Sequence, residues 1–317
     1  MPGRELAIRS NAKSLASTKD LLEHFLETLA PNTLYGYSSD LRDFSIFRGH
    51  FDETKGIQEL VSLESGGEAN QMVLEYRTNL LARGLSSSTV SRRLASVRSF
   101  TKYARMIGAI TWMIEVKNPK NEPRYDMRGP NPAEFKAFWK ALKGLGSTPE
   151  GYRDRAIVSL LYDLALRRAE VVSLDVADID LAGSSIRVLR KGNRERVRLT
   201  MPEVTCKTVR EWLTCRGDTP GPLFCRLDDA AWGTGRLRSQ AVYTALQRHA
   251  WRAGIKAPIR PHGLRHSAIT AALNAKVDIR DVRKFSGHQS IQTVLKYDDE
   301  RGDTAGDVAK KVAGNRT

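Results

Sequence analysis

The stretch Lys117-Asn118-Pro119-Lys120-Asn121-Glu122-Pro123-Arg124-Tyr125-Asp126-Met127-Arg128-Gly129-Pro130-Asn131-Pro132 decides how the chain is organised. Proline lacks a backbone donor and biases the residue before it away from helix, so four prolines in sixteen residues exclude a continuous helix here. Lys117, Lys120, Arg124 and Arg128 make the same stretch cationic. It reads as a basic linker, 117–132, between two modules of different composition.

Upstream, the apolar spacing is helical. Residues 1–16 are polar and read as a loose tail. Leu21, Leu22, Phe25, Leu26 and Leu29 then recur at intervals of three and four, and Pro31 ends that segment. A second helix from Asn32 or Thr33 carries Tyr37, Leu41 and Phe44. Gly66-Gly67 breaks the chain before a third, over 69–83. Ser87 or Ser88 can cap a further helix with Val90, Leu94, Val97, Ala104 and Ile107 on one face. Arg98, Lys102 and Arg105 form a basic stripe on another face, and Arg92 and Arg93 belong to the same helix. An all-helical module over 17–116 is expected. A helix with one apolar and one cationic face can lie on a phosphate backbone. The helix alone is equally consistent with a solvated basic face.

Downstream, over 133–317, helical patterns at 133–145 and 153–164 give way to a period of two. Ile186 and Val188 alternate with Arg187, and Val197 and Leu199 with Arg196 and Arg198. Lys191-Gly192-Asn193 reads as the hairpin turn between them. Helical spacing resumes at 203–214, 239–253 and 263–275, with a last stretch after Tyr297. The expected class is mainly α, with one small antiparallel β-sheet.

The formal charge of +15 over 317 residues favours a polyanionic partner, since each cation that meets a phosphate releases condensed counterions. Cys206, Cys215 and Cys225 cannot all pair with one another and form no Cys-x-x-Cys, which argues against a disulfide scaffold or a zinc ribbon. No apolar run reaches a membrane span and no signal-peptide core is visible, so a cytoplasmic, nucleoid-associated protein without membrane contact is expected.

Chemistry-bearing residues concentrate in four segments of the second module. These are Leu164-Ala165-Leu166-Arg167-Arg168-Ala169-Glu170, the hairpin Lys191, Pro261-His262-Gly263-Leu264-Arg265-His266, and Ser286-Gly287-His288 followed by Tyr297. Each has an ordinary reading. Arg-x-x-Glu is usually a surface ion pair, and a lone tyrosine is usually a core residue with a wet hydroxyl. His262 and His266 lack the intervening carboxylate of a zinc protease helix, so no metal is expected.

In this order, the segments resemble the catalytic constellation of the tyrosine recombinase (phage integrase) family. Arg167 in Leu-Arg-x-x-Glu matches the first arginine and Glu170 its supporting acid. Lys191 matches the hairpin lysine, His262 and Arg265 the His-x-x-Arg pair, His288 the later histidine, and Tyr297 the nucleophile. Thr33-x-x-x-Tyr37-x-x-Asp40-Leu41-x-x-Phe44 and Gly84-Leu85-Ser86-Ser87-Ser88-Thr89 resemble the family's N-terminal, SAM-like core-binding domain. Ala165 stands where glycine is usual, Ala169 where serine or glycine is, Ser286 where leucine is, and Asp298-Asp299 follow Tyr297 where many relatives carry Thr and His. None of these departures removes a functional group.

The resemblance implies a DNA strand-transfer enzyme. Two guanidiniums, Arg167 and Arg265, would grip the non-bridging phosphate oxygens with His288 donating a further hydrogen bond. A phenol ionises near pH 10, so the Tyr297 attack needs positive charge and a proton acceptor, for which His262 is the candidate. Lys191 would protonate the departing 5′ oxygen, leaving a 3′-phosphotyrosine. The ester conserves bond energy, so no cofactor is expected. No phosphate-binding Gly-x-x-x-x-Gly-Lys loop and no clustered carboxylates for two metals are visible. Candidate DNA contacts are Arg92, Arg93, Arg98, Lys102, Arg105, Lys117, Lys120 and Arg124.

With about 16 residues before the first helix, the architecture resembles the minimal Cre or Xer type. That type implies a homotetramer acting on double-stranded DNA at inverted-repeat core sites through a Holliday junction. Residues 307–313 are a candidate helix for docking into a neighbouring protomer. A type IB topoisomerase, or a DNA-binding regulator without catalysis, stays open as an alternative.

Overall fold

The computed structural model describes residues 18–298 apart from 53, 121–128, 191, 194, 229 and 231, together with 306 and 313. Lys191 and Arg124 lie outside the described residues, as do the N-terminal tail and nearly all of 299–317. The chain falls into two compact units, Met1–Pro123 and Arg124–Thr317, divided inside the proline-rich stretch.

The first unit is helical: α1 (Thr18–Glu27), α2 (Pro31–Phe47), α3 (Lys55–Ser62), α4 (Gly66–Ala82) and α5 (Ser87–Met106). Pro31 opens α2, at a position where its missing N–H would be unsatisfied anyway. Gly66 and Gly67 lie inside the first turn of α4, whose N-cap is Ser65. The cap of α5 is Ser86, accepting from the Thr89 N–H at 3.3 Å. The eight-residue α3 has too short a period to stand out in the sequence. Phe25, Leu41, Phe44, Ile57, Leu60, Tyr76, Leu94 and Phe100 fill the core, with Phe44 and Tyr76 edge to face at 5.0 Å.

Arg92, Arg93 and Arg98 of α5 are engaged within this unit. Arg92 pairs with Asp40 and Arg93 with Asp43, both on α2. Asp43 also accepts from the Arg83 guanidinium at 2.9 and 3.1 Å and from the Tyr76 hydroxyl at 2.8 Å. Burial works against the Asp43 charge, but these partners hold its pKa below the usual value; burial of Asp40 outweighs its partners and raises it. Arg98 donates to the Val116 carbonyl and the Asn118 side chain, each at 2.7 Å, and so fastens the outgoing chain. Lys102 and Arg105 are exposed.

The second unit comprises α6 (Pro132–Lys143), α7 (Pro149–Asp163), α8 (Arg168–Val172), β1 (Ile179–Asp180), β2 (Ser185–Leu189), β3 (Arg196–Thr200), α9 (Glu203–Arg216), α10 (Ser239–Arg252), α11 (Pro261–Asn274), α12 (Ile279–Ser286) and α13 (Ile291–Asp298). The strands form one antiparallel sheet in the order β1-β2-β3, with Ile186 opposite Leu199 and Val188 opposite Val197. Ile186 and Val188 are buried, whereas β3 is an edge strand whose Val197 faces solvent.

Two apolar clusters hold this unit. The larger joins Phe138, Ile157, Leu160, Leu161, Trp212 and Phe224 around α7. The smaller consists of Ala165, Ala268, Ile269, Leu273, Val282, Val294 and Tyr297. Ala165 and Tyr297, from the segments singled out above, belong to it. At the start of α11, Gly129 packs on the helix backbone: a Cβ there would come within 1.8 Å of the Gly263 carbonyl oxygen. Ser267 donates to the Pro130 carbonyl at 2.7 Å, so the chain leaving the proline-rich stretch braces the helix that carries His262 and Arg265.

Candidate active site

The site grows from three chain reversals. At the first, α7 ends and Ala165 takes a left-handed conformation, φ +47°, where glycine would be unstrained. Arg167 then opens α8: its N–H donates to Glu170 Oε2 and its Nη1 to Glu170 Oε1, both at 2.8 Å. Glu170 is buried, so this is a fixed charge pair with both carboxylate oxygens used.

The second reversal delivers α11, with Pro261 in its first turn. Arg265 on this helix is fully buried. Its Nη1 donates to the Ala165 carbonyl, and its Nη2 to the Ser286 carbonyl and to His288 Nε2, the last at 3.1 Å. Burial first, then the Arg167 and Arg190 guanidiniums, push the Arg265 pKa down to about 10, against Glu170 and Tyr297. The side chain stays charged at neutral pH.

The third is the end of α12, where Gly287 adopts φ +60° and the amides of Gly287 and His288 return to the Lys284 and Arg283 carbonyls at 3.1 and 3.2 Å. Three successive carbonyls of this turn are each taken by a different guanidinium. Phe285 accepts from Arg190 at 3.0 Å, Ser286 from Arg265, and Gly287 from Arg167 at 3.4 Å.

A guanidinium has only donors, so His288 Nε2 accepts from Arg265 and the ring proton sits on Nδ1. Nδ1–H then donates to Ser286 Oγ at 2.9 Å, and Ser286 Oγ–H to the Arg283 carbonyl at 3.2 Å. Burial first, then Arg265, Arg167, His262 and Arg190, lower the His288 pKa to about 4. The imidazole is therefore neutral, and in this state its Nε2 is an acceptor rather than the donor expected from the sequence. His262 reaches solvent, yet protein crowded round it, with Arg265, His266 and Arg167, also lowers its pKa. A neutral imidazole is the form that can take a proton.

Tyr297 on α13 is 7% exposed, its ring 4.7 Å from that of His266 and 5.7 Å from that of His288. Gly192, at the hairpin tip, lies against Gln289: a Cβ there would come within 2.3 Å of Nε2. Arg167, Glu170, Arg265, His288 and Tyr297 thus come together, with His262 three positions before Arg265 on α11. Arg190, Ser286 and His266 were not among the site residues expected from the sequence. For Ser286 and His266 the signal was adjacency to the matched histidine and arginine; for Arg190 only the fold shows it. One group of metal-ligating type assembles among the described residues, Glu150, Asp154 and His249, away from this site. Arg153 pairs with Asp154, and Arg248 with Glu150.

Residues 131–302 match the model of the phage integrase family, and residues 18–107 that of the phage integrase N-terminal SAM-like domain. The chain belongs to the phage integrase family. A tyrosine recombinase of Synechocystis sp. is 37% identical to this recombinase over 292 residues, 89% of this chain and 91% of the relative. The tyrosine recombinase XerC of Pelobacter propionicus is 28% identical, covering 85% of each chain. Among solved structures, the XerH recombinase bound to palindromic difH substrate superposes with a TM-score of 0.67, at 18% identity over 94% of this chain and 86% of that one. A lambda integrase dimer on a COC′ core site gives 0.66, at 15% identity over 90% and 96%. These likenesses establish the tyrosine recombinase fold, mainly helical with one small antiparallel sheet. No described helix of the recombinase is long and apolar enough to cross a membrane.

Proposed function

We propose that this recombinase cuts double-stranded DNA at specific sites with Tyr297, holds the 3′ phosphate as a phosphotyrosine, and passes it to a partner strand. The observation that carries the reading is the convergence of Arg167, Arg265 and His288 on one turn beside the Tyr297 ring. A phosphodiester resists attack because its oxygens are anionic. Arg167 and Arg265 present N–H groups that are held by neutral carbonyls, which a phosphate oxygen can replace with a stronger, charge-assisted acceptor. Glu170 keeps the Arg167 fork oriented.

When Arg265 turns to phosphate, His288 Nε2 loses its donor, and the incoming negative charge favours its protonation. It then becomes a donor to the second non-bridging oxygen. His262, neutral, accepts the phenol proton, and Lys191, by resemblance to the family, supplies a proton to the departing 5′ oxygen. The reverse sequence, with the 5′ hydroxyl of another strand as nucleophile, completes strand exchange. Cre- and Xer-like architecture supports a homotetramer on inverted repeats, proceeding through a Holliday junction.

Recovery and sequencing of DNA covalently bound to the protein in cells, for wild type and Tyr297→Phe side by side, tests this. Adducts at a few inverted-repeat sites in wild type alone are expected. Adducts without sequence preference would make it a topoisomerase, and adducts that persist in Tyr297→Phe would remove the nucleophile.

A further inference from the structure

Arg190, the residue before the hairpin lysine, is an expensive side chain for its place. It is 5% exposed, directly after β2, and its Nη1 has no hydrogen-bond partner among the described residues. Its one side-chain hydrogen bond here goes to a neutral carbonyl, that of Phe285, at 3.0 Å. Burial, with Arg167 beside it, lowers its pKa against the pull of Glu170. Burying a guanidinium with no bonded carboxylate among the described residues is penalised by lost hydration, and an apolar residue of the same length would fill the space without that penalty.

Its two ends explain the placement. The backbone carbonyl of Arg190 accepts from the Asn193 N–H at 3.0 Å and so closes the turn after β2. Its side chain lies flat on Gly287: a Cβ on that glycine would stand 2.1 Å from Nη1, 2.6 Å from Cδ and 2.7 Å from Cζ. Gly287 adopts φ +60° and immediately precedes His288. One residue therefore belongs to the hairpin through its backbone and to the histidine turn through its guanidinium.

We propose that Arg190 is a positioning residue of the strand-cleavage site, clamping the Ser286–Gly287–His288 turn to the end of β2 and so setting His288 against the scissile phosphate. The inference rests on the Tyr297 reading above. The charge count agrees with it. Among the described residues, Arg167, Arg190 and Arg265 face one carboxylate, Glu170, which leaves two positive charges for a phosphate that becomes dianionic as the phenolate adds.

The test is single-turnover cleavage of a nicked duplex built on a site recovered from cells, with equilibrium binding and melting measured on the same proteins. The variants are Arg190→Met, Arg190→Lys, His288→Ala, Arg190→Met with His288→Ala, and Tyr297→Phe. For Arg190→Met, adduct formation should slow by about 30- to 100-fold while binding stays within about threefold. Arg190→Lys, keeping the charge but not the fork, should fall between. The double variant should cleave no more slowly than His288→Ala alone, because Arg190 acts through His288. Wild-type cleavage by Arg190→Met, multiplicative losses in the double variant, or binding and melting that fall in step with cleavage would each overturn the proposal. Adducts from Tyr297→Phe would overturn the parent reading, a result separable from any of these.

Discussion

Two groups of arginines in this recombinase are bonded in opposite ways. Between α2, the end of α4 and α5 in the first unit, Arg83, Arg92 and Arg93 are bound by the carboxylates of Asp40 and Asp43. Around the turn after α12 in the second, three guanidiniums rest on the carbonyls of Phe285, Ser286 and Gly287, and among the described residues only Arg167 also bonds a carboxylate, Glu170. A carboxylate already gives a guanidinium a charged acceptor, so a phosphate offers the first group less. A carbonyl satisfies it less well, so the second group would gain more from an anion. Asp40 and Asp43 take every arginine of the first group, whereas in the second Arg167 alone bonds a carboxylate among the described residues, and its Nη2 still rests on a carbonyl.

The largest effect should come from the second group. Arg265→Ala removes donors from both the phosphate and the turn, and adduct formation should fall by about 10²- to 10³-fold. Affinity for the uncut site should change by less than about tenfold, since many other phosphate contacts remain. Cleavage kinetics and gel-shift titration on the same DNA separate the two. A loss of affinity without a loss of rate per bound complex would place Arg265 with the first group.

Asp43→Ala is the converse. It leaves Arg83, Arg93 and the Tyr76 hydroxyl without their acid, and unfolding of the first unit should become easier by about 3 kcal/mol. Denaturant titration reads that loss, and the cleavage rate of bound complexes should not move. A cleavage defect with unchanged stability would mean that these arginines serve the reaction.

The comparison also has a pH signature. Folding lowers the His288 pKa to about 4 from an unfolded value near 6.5, so in that window the unfolded chain binds the extra proton. Stability is therefore greatest above pH 6.5 and falls as pH drops towards 4. His262 shifts in the same direction, so His288→Gln should flatten the fall in melting temperature without abolishing it. An unchanged profile in His288→Gln would show that neither burial nor the neighbouring positive charge depresses the imidazole.

The candidate site was more legible in the sequence than the pairing of the α5 arginines, for a physical reason. Arg167, Glu170, Arg265, His288 and Tyr297 sit in short motifs at the ends of helices, where local spacing reflects the chemistry. Their convergence on one turn follows. Arg190 was invisible because its meaning depends on contact with Phe285 and Gly287, 95 residues further on in the case of Phe285. Arg92 and Arg93 read as DNA contacts because α5 viewed alone shows only cations. Their acids, Asp40 and Asp43, lie on α2, which no periodicity within α5 can reveal. The eight-residue α3 and α12 escaped because two turns barely define a period, and Ser86 was passed over as the cap for its neighbours by one position.

Lys102 and Arg93 test the comparison within one helix. Lys102 is exposed, whereas Arg93 is 16% exposed and held by Asp43. A cation that meets a phosphate releases about one counterion, so Lys102→Ala should lower the slope of log K against log salt by about 1. Arg93→Ala should leave the slope where it is and instead lower the stability of the first unit. Phosphate would have to displace Asp43, and the exchange of one anion for another releases no further counterion. A slope that falls for Arg93→Ala as much as for Lys102→Ala would mean that DNA opens the Asp43 pair, and that the two groups of arginines differ in degree only.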